Sequence, residues 1–167
     1  MRYYDTDMEN LKIREAIEDD TQLILSLIKE IAEYENMSNE VIATGKTLRE
    51  SIFENNRAEV VLVDLDNKTI GYAVYFYNFS TFIGRNGLYI EDIFIKKEAR
   101  GKGIGKEIFK FLGKKAKKEG CKRIEWACLN WNEPSIKFYK SLGAVPMDEW
   151  TTYRLTEKEI EKLTGLK

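Results

Sequence analysis

Leu88-Tyr89-Ile90-Glu91-Asp92-Ile93-Phe94-Ile95, then Arg100-Gly101-Lys102-Gly103-Ile104-Gly105, then a lysine-rich run to Glu119: this stretch decides the fold. Its first part is apolar on both sides of an acidic pair and predicts a strand. From Ile104 to Glu119 the pattern becomes helical, with Ile104, Ile108, Phe109, Phe111 and Leu112 turned inward, lysines outward, and Gly120 as the C-cap. Lys122 to Leu129 is apolar again and predicts a second strand. Strand, helix and strand in that order make a crossover unit, which joins parallel strands.

Working outward, Glu59–Leu65 and Thr69–Phe79 are rich in Val, Ile, Tyr and Phe and flank Asp66-Asn67-Lys68, a turn composition, so they predict an antiparallel hairpin. The aromatics Tyr72, Tyr75, Phe76, Tyr77 and Phe79 suit a buried strand pair, since no basic groove accompanies them to make a base-stacking platform. A hairpin beside a parallel crossover gives a mixed sheet. Leu23, Leu27, Ile31 and Tyr34 share one face of a helix over Glu18–Tyr34, with Asp19, Asp20 and Thr21 available as caps. Thr47 and Glu50 have the spacing of a capping box for a second, shorter helix. Glu133–Ser141 reads as a helix with Pro134 in its first turn, Thr151–Leu155 as a last strand, and Thr156 as the start of a polar terminal helix. The fold class is α/β, or α+β in some schemes: one domain over residues 1–167, with a mixed central sheet and helices on both faces.

Composition narrows the chemistry. The 167 residues are 43% hydrophobic and 33% charged, which is ordinary for a water-soluble globule. A net charge of -1 gives no electrostatic mandate to bind nucleic acid or an anionic membrane. There is no histidine, which excludes Ser-His-Asp and Cys-His nucleophilic sites and His-ligated zinc; no metal site is expected. Proton transfer must use Glu, Asp, Tyr, Lys, Cys or water. Cys121 and Cys128, read on one strand, would stand roughly 23 Å apart at about 3.3 Å per residue and cannot pair with each other. With no disulfide framework, signal peptide or membrane-length apolar run, the expected location is the cytoplasm.

Two features carry chemistry. Glu91 and Asp92 are neighbours inside a strand, and neighbours point to opposite faces, so at least one carboxylate is aimed at the interior or a cleft. The glycine-rich loop Arg100–Gly105, between strand and helix, lets the backbone approach a ligand and presents first-turn N–H groups to phosphate. It lacks the Rossmann spacing, because its third glycine falls one residue early. Gly45-Lys46-Thr47 lacks the upstream glycine of a Walker A loop, for which Glu40 stands instead.

Arg100–Gly105 resembles the (Q/R)-x-x-G-x-(G/A) loop of the GNAT superfamily of N-acetyltransferases, which cradles the pyrophosphate of acetyl-CoA. Asn132-Glu133-Pro134-Ser135-Ile136-Lys137-Phe138-Tyr139-Lys140, followed by Gly143-Ala144, resembles that superfamily's second cofactor segment. With Leu88–Asp92 it is similar to the diamine (spermidine/spermine) N-acetyltransferases in particular, and the likeness runs more loosely from Ile13 to Leu155. The resemblance implies the GNAT fold with a splayed cofactor-binding cleft and acetyl-CoA as co-substrate. It implies a pantetheine arm along Ile93, Phe94 and Ile95 and a pyrophosphate on Arg100, Gly101, Lys102, Gly103, Ile104, Gly105 and Lys106. Asn132 and Ser135 match further cofactor contacts, Tyr139 matches the general acid beside the thioester sulfur, and Glu91 matches the carboxylate that takes the amine's proton through water.

Independently of any family, an alkylammonium near pKa 10 must lose a proton before it attacks a thioester, and a leaving thiol of pKa about 8.5 needs only a weak acid nearby. Transfer is therefore read as direct, with Cys128 as packing rather than an acyl-accepting nucleophile. Tyr34, Glu35, Glu91 and Asp92 match the pattern of an amine site, where carboxylates and aromatic faces attract cations. Ser80 and Phe82 stand where the diamine enzymes often carry Asp and Trp, and Thr151 replaces a family acid. The expected activity is acetylation of a primary amine, foremost a diamine or polyamine. A lysine-like or thialysine amine, a protein amine, and a non-catalytic acyl-CoA-binding module are the alternatives. The resemblance also implies a homodimer.

Overall fold

The computed structural model describes residues 2–166, and the chain divides into two compact units at Ala127/Cys128. The N-terminal unit holds strands β1 (Tyr3–Asp5), β2 (Leu11–Glu15), β3 (Glu59–Leu65), β4 (Lys68–Ser80), β5 (Arg85–Ile95) and β6 (Ile124–Trp126). Its helices are α1 (Thr21–Tyr34), α2 (Gly45–Arg49) and α3 (Ile104–Lys118). The strands form one sheet in chain order, antiparallel throughout except for the parallel β5–β6 pair. The sheet is mixed, as its sequence pattern implies.

Alternation along the strands divides the core into two layers. Val61, Val63, Ala73, Tyr75, Leu88 and Ile90 face α3, where they pack with Ile104, Ile108, Phe111 and Leu112. Val60, Leu62, Tyr72 and Phe94 face α1, where they meet Ile24 and Leu27. Tyr72 and Tyr75 are buried and Phe76 and Tyr77 half-buried, whereas Phe79, expected in the buried pair, is 64% exposed near the tip of the β4–β5 hairpin.

Four expectations need correction. Regular α1 begins at Thr21, because Glu18–Asp20 form a tighter 3₁₀ turn. The capping box of α2 is Thr44 with Thr47: extended Thr44 accepts the Thr47 N–H at 3.2 Å and Thr47 Oγ1 accepts the Thr44 N–H at 2.9 Å. Glu50 instead lies 3.8 Å from Lys46. Strand β6 covers only Ile124–Trp126 rather than Lys122–Leu129, so Cys121 and Cys128 do not share a strand. Thr151–Leu155 is not a strand: Trp150, Tyr153 and Leu155 are exposed, and the described residues of its unit include no strand with which it could form a ladder. That C-terminal unit consists of α4 (Glu133–Ser141), α5 (Glu157–Thr164) and their connections. Among the described residues no helix is long and apolar enough to cross a membrane.

Candidate active site

Strand β5 organises the site through a bulge. Its register against β4 steps from Val74 opposite Asp92 to Tyr75 opposite Ile90, which inserts Glu91 as an extra residue. A bulge resets the in–out phase of a strand. Ile90, Ile93 and Ile95 therefore all pack toward α3, whereas Asp92 and Phe94 turn toward α1. The bulge also ends the parallel pairing with β6, which covers only Leu88, Tyr89 and Ile90. From Asp92 to Ile95, β5 pairs with β4 alone, so the sheet opens along one backbone edge.

Of the acidic pair, Asp92 is the carboxylate drawn inward and Glu91 is exposed at the bulge. The Tyr72 hydroxyl donates to Asp92 Oδ2 at 2.9 Å. Burial raises the Asp92 pKa, and the Tyr72 hydrogen bond offsets this in part. Glu35, the C-cap of α1, also has a raised pKa, first from burial and then from the charge of Asp92. The negative end of the helix dipole points at the same place, where it favours a cation. Among the described residues no cation bonds either acid. Lys96, just past β5, pairs with Glu30 of α1 at 2.9 Å and ties the strand end to that helix.

The loop after β5 is shaped by glycine. Gly101 and Gly103 have φ of +76° and +84°, left-handed values that strain other residues, and a Cβ on either would meet no atom within 4 Å. Dihedral angle rather than crowding therefore demands glycine here, and the space above the loop stays open. Gly103 is the N-cap of α3 and supplies no side-chain cap, so the first-turn N–H groups at Ile104 and Gly105 are available to a ligand. Lys102 and Lys106 are exposed beside them. An open nest of amides, flanking cations and a vacant strand edge fit a ligand with a pyrophosphate at one end and an amide-bearing arm at the other. The Arg100 side chain turns from this loop: Nε donates to the Ile95 carbonyl at 2.8 Å and the guanidinium carbon lies 4.4 Å from the centroid of the Tyr34 ring.

In the C-terminal unit, buried Asn132 caps α4 by accepting the Ser135 N–H at 3.4 Å. Ser135 and Tyr139 are four residues apart and lie on one face of α4. Tyr139 is half-buried, and its carbonyl accepts the N–H groups of Leu142 and Ala144 at 3.0 and 3.1 Å, closing the helix before Gly143. Among the described residues no group of three or more His, Cys, Asp or Glu could hold a metal ion.

In the N-terminal unit the fold and the glycine loop are those of a protein that holds a ligand bearing phosphate. Residues 22–144 match the family model described as "Acetyltransferase (GNAT) family". The chain belongs to the GNAT acetyltransferase family, whose members use acetyl-CoA. It is 36% identical to the thialysine N-epsilon-acetyltransferase of Sus scrofa over 95% of this chain and 99% of that one. It is 29% identical to the human spermidine/spermine N(1)-acetyltransferase-like protein 1 over 93% of this chain and 24% of that one. Among solved structures, an integron cassette protein from the mobile metagenome of V. cholerae superposes with a TM-score of 0.78 at 26% identity, over 94% of this chain and 99% of that one.

The structure thus brings Tyr34, Glu35, Glu91, Asp92, Ile93–Ile95 and the Arg100–Lys106 loop together in the N-terminal unit, and Asn132, Ser135 and Tyr139 together in the C-terminal one. Tyr72, read from sequence only as packing, is the donor that holds Asp92. Its place opposite Phe94, two residues from an acid, was the only signal, and an aromatic in a strand is core far more often than donor.

Proposed function

We propose that the protein transfers an acetyl group from acetyl-CoA directly to a primary amine of a short substrate with two amino groups, a lysine-like amine such as thialysine. Residues 1–167 act in this reading as one N-acetyltransferase domain. The observation that carries it is Asp92 beside Glu35: two desolvated acids with raised pKa and no bonded cation among the described residues, at the negative end of a helix. Such a pair favours a charge-bearing ammonium. Whole-length likeness to thialysine acetyltransferases favours the lysine-like substrate. A small diamine or polyamine is the second reading, favoured by the two carboxylates and by the human spermidine/spermine-type relative.

Acetyl-CoA supplies the activated acyl group. The amides and cations of Arg100, Gly101, Lys102, Gly103, Ile104, Gly105 and Lys106 hold its pyrophosphate, the Ile93–Ile95 edge receives its arm, and Asn132 and Ser135 support it. Glu91, exposed at the bulge, takes the amine's proton through water. Tyr139 donates a proton to the departing thiolate, and Tyr34, Glu35 and Asp92 hold the substrate's other charge. The amine nitrogen forms its bond to the acetyl carbon as the bond to the CoA sulfur breaks, no acyl-enzyme forms, and Cys128 has no chemical role. A second copy of the chain completes the cytoplasmic enzyme, a reading supported by exposed Val145, Met147, Trp150 and Tyr153 and checked by light scattering.

Thiol release from acetyl-CoA, measured with thialysine, lysine, putrescine, spermidine and no amine, tests the proposal. Amine-dependent release is expected, fastest with thialysine; release with none of them would overturn it. Tyr139→Phe should slow release about a hundredfold and leave acetyl-CoA affinity unchanged, since it removes a proton donor and keeps the ring.

A further inference from the structure

The Arg100 guanidinium occupies an aromatic seat. Its central carbon lies 4.4 Å from the Tyr34 ring centroid and 5.6 Å from that of Phe94, and Nε donates to the Ile95 carbonyl at 2.8 Å. Tyr34 adjoins Glu35 at the end of α1, and Phe94 follows Asp92 by two residues and packs on the same face. The chain's own cation therefore sits on rings suited to a substrate ammonium, carried by the same two elements, α1 and β5, as the two acids. The same Arg100 directly precedes Gly101, Gly103 and the N-terminus of α3, whose amides face open space.

We propose that Arg100 is a surrogate cation. Without acetyl-CoA it fills the seat formed by Tyr34 and Phe94 and covers the Ile95 carbonyl; with a pyrophosphate at the α3 N-terminus it swings to the phosphate, and the seat passes to the amine. The direction follows from bond strength. A guanidinium–phosphate contact is charge-assisted and commonly bidentate, whereas the contacts Arg100 holds now are one hydrogen bond to a neutral carbonyl, the half-buried Tyr34 ring and the more distant, buried Phe94 ring. The exchange couples the two ligands, and coupling between binding equilibria is reciprocal: the amine must strengthen CoA binding by the factor with which CoA strengthens amine binding. Arg100 is in this respect a positioning residue for the amine, which it affects through the Tyr34 ring. The inference rests on the proposed transferase reading.

Calorimetric titration of thialysine and of putrescine into the protein, alone and saturated with CoA, tests it without turnover. CoA should tighten amine binding by about twofold to thirtyfold, the range that a cation–π contact commands between exposed and desolvated settings. Arg100→Ala without CoA should bind the amine as tightly as the CoA-loaded wild type, and CoA should then add nothing. Equal amine affinity with and without CoA in the wild type, or no gain in Arg100→Ala, would overturn the exchange. Amine-dependent thiol release by the same wild-type preparation separates the cases: release with flat amine affinity removes only the surrogate role, and no release with any amine removes the transferase reading beneath it.

Discussion

At the start of α1, Asp20 accepts hydrogen bonds from both terminal nitrogens of Arg14, at 2.7 and 2.9 Å, while Arg14 Nε reaches Asp64 at 2.9 Å. At the end of the same helix Glu35 feels the like charge of Asp92, whose bonded donor is the Tyr72 hydroxyl. Both places hold carboxylates out of water, but their protons answer in opposite directions. Burial pushes Asp20 up, yet Arg14 and the Ile17 N–H more than offset it and hold the acid below its ordinary pKa. Burial pushes Asp92 and Glu35 up, and nothing reverses it. The first cluster is complete and joins β2, β3 and the entry to α1. Among the described residues no cation bonds the second, as the proposed amine site requires.

Stability should separate the two most sharply. Arg14→Ala leaves buried Asp20 and half-buried Asp64 without their shared cation and should cost about 3–5 kcal/mol in urea or thermal unfolding. Asp92→Asn should cost little or stabilise near neutral pH. A folded-state pKa raised above the unfolded value contributes stability at low pH and loses it as pH rises through the folded pKa, so an ionised Asp92 opposes folding there. Equal losses from both substitutions would erase the distinction.

Activity should invert the order. Asp92→Asn removes a charge-assisted contact to the substrate and should raise the amine KM roughly tenfold to a hundredfold, with a small change in kcat. An unchanged KM would take Asp92 out of the amine site. The pH responses differ in the same sense. Stability from Asp20 is present above its unfolded pKa and is lost as pH falls through the lower folded one. Amine affinity should instead improve as pH rises through the raised pKa values of Asp92 and Glu35, because only the ionised pair attracts an ammonium. A KM flat across the acidic range would contradict that.

The sheet strands from β3 to β5, α3 and the phosphate loop were legible in the sequence because period, glycine placement and caps all agree there. Strands β1 and β2 were not read. Tyr3–Asp5 is three residues long, and Lys12 and Arg14 interrupt Leu11–Glu15, Arg14 being buried only because Asp20 and Asp64 enclose it. Strand β6 is shorter than its apolar run, because β5 pairs with it only up to Ile90, where the bulge at Glu91 begins. The same bulge decides which acid turns inward. Adjacency of Glu91 and Asp92 shows that one must, but strict alternation cannot choose between them, since one inserted residue reverses every later assignment. Arg100 on Tyr34 is a contact across 66 positions and left no local pattern to find.

The smallest expected effect is the most diagnostic. Tyr72→Phe keeps the ring that packs against Phe94, with centroids 6.4 Å apart, and removes only the hydroxyl that donates to Asp92. That hydrogen bond favours the charged carboxylate, so its loss should raise the Asp92 pKa further. A net hydrogen bond of about 0.5–1.5 kcal/mol corresponds to a shift of up to about one pKa unit. The rise of amine affinity with pH should therefore move toward alkaline pH by that amount in Tyr72→Phe, with the plateau at high pH preserved. A uniform loss of affinity at every pH would mean that the hydroxyl shapes the site rather than tunes its charge. No displacement at all would mean that Glu35, not Asp92, sets the acid limb, since Glu35 owes its raised pKa first to burial and only second to its neighbour.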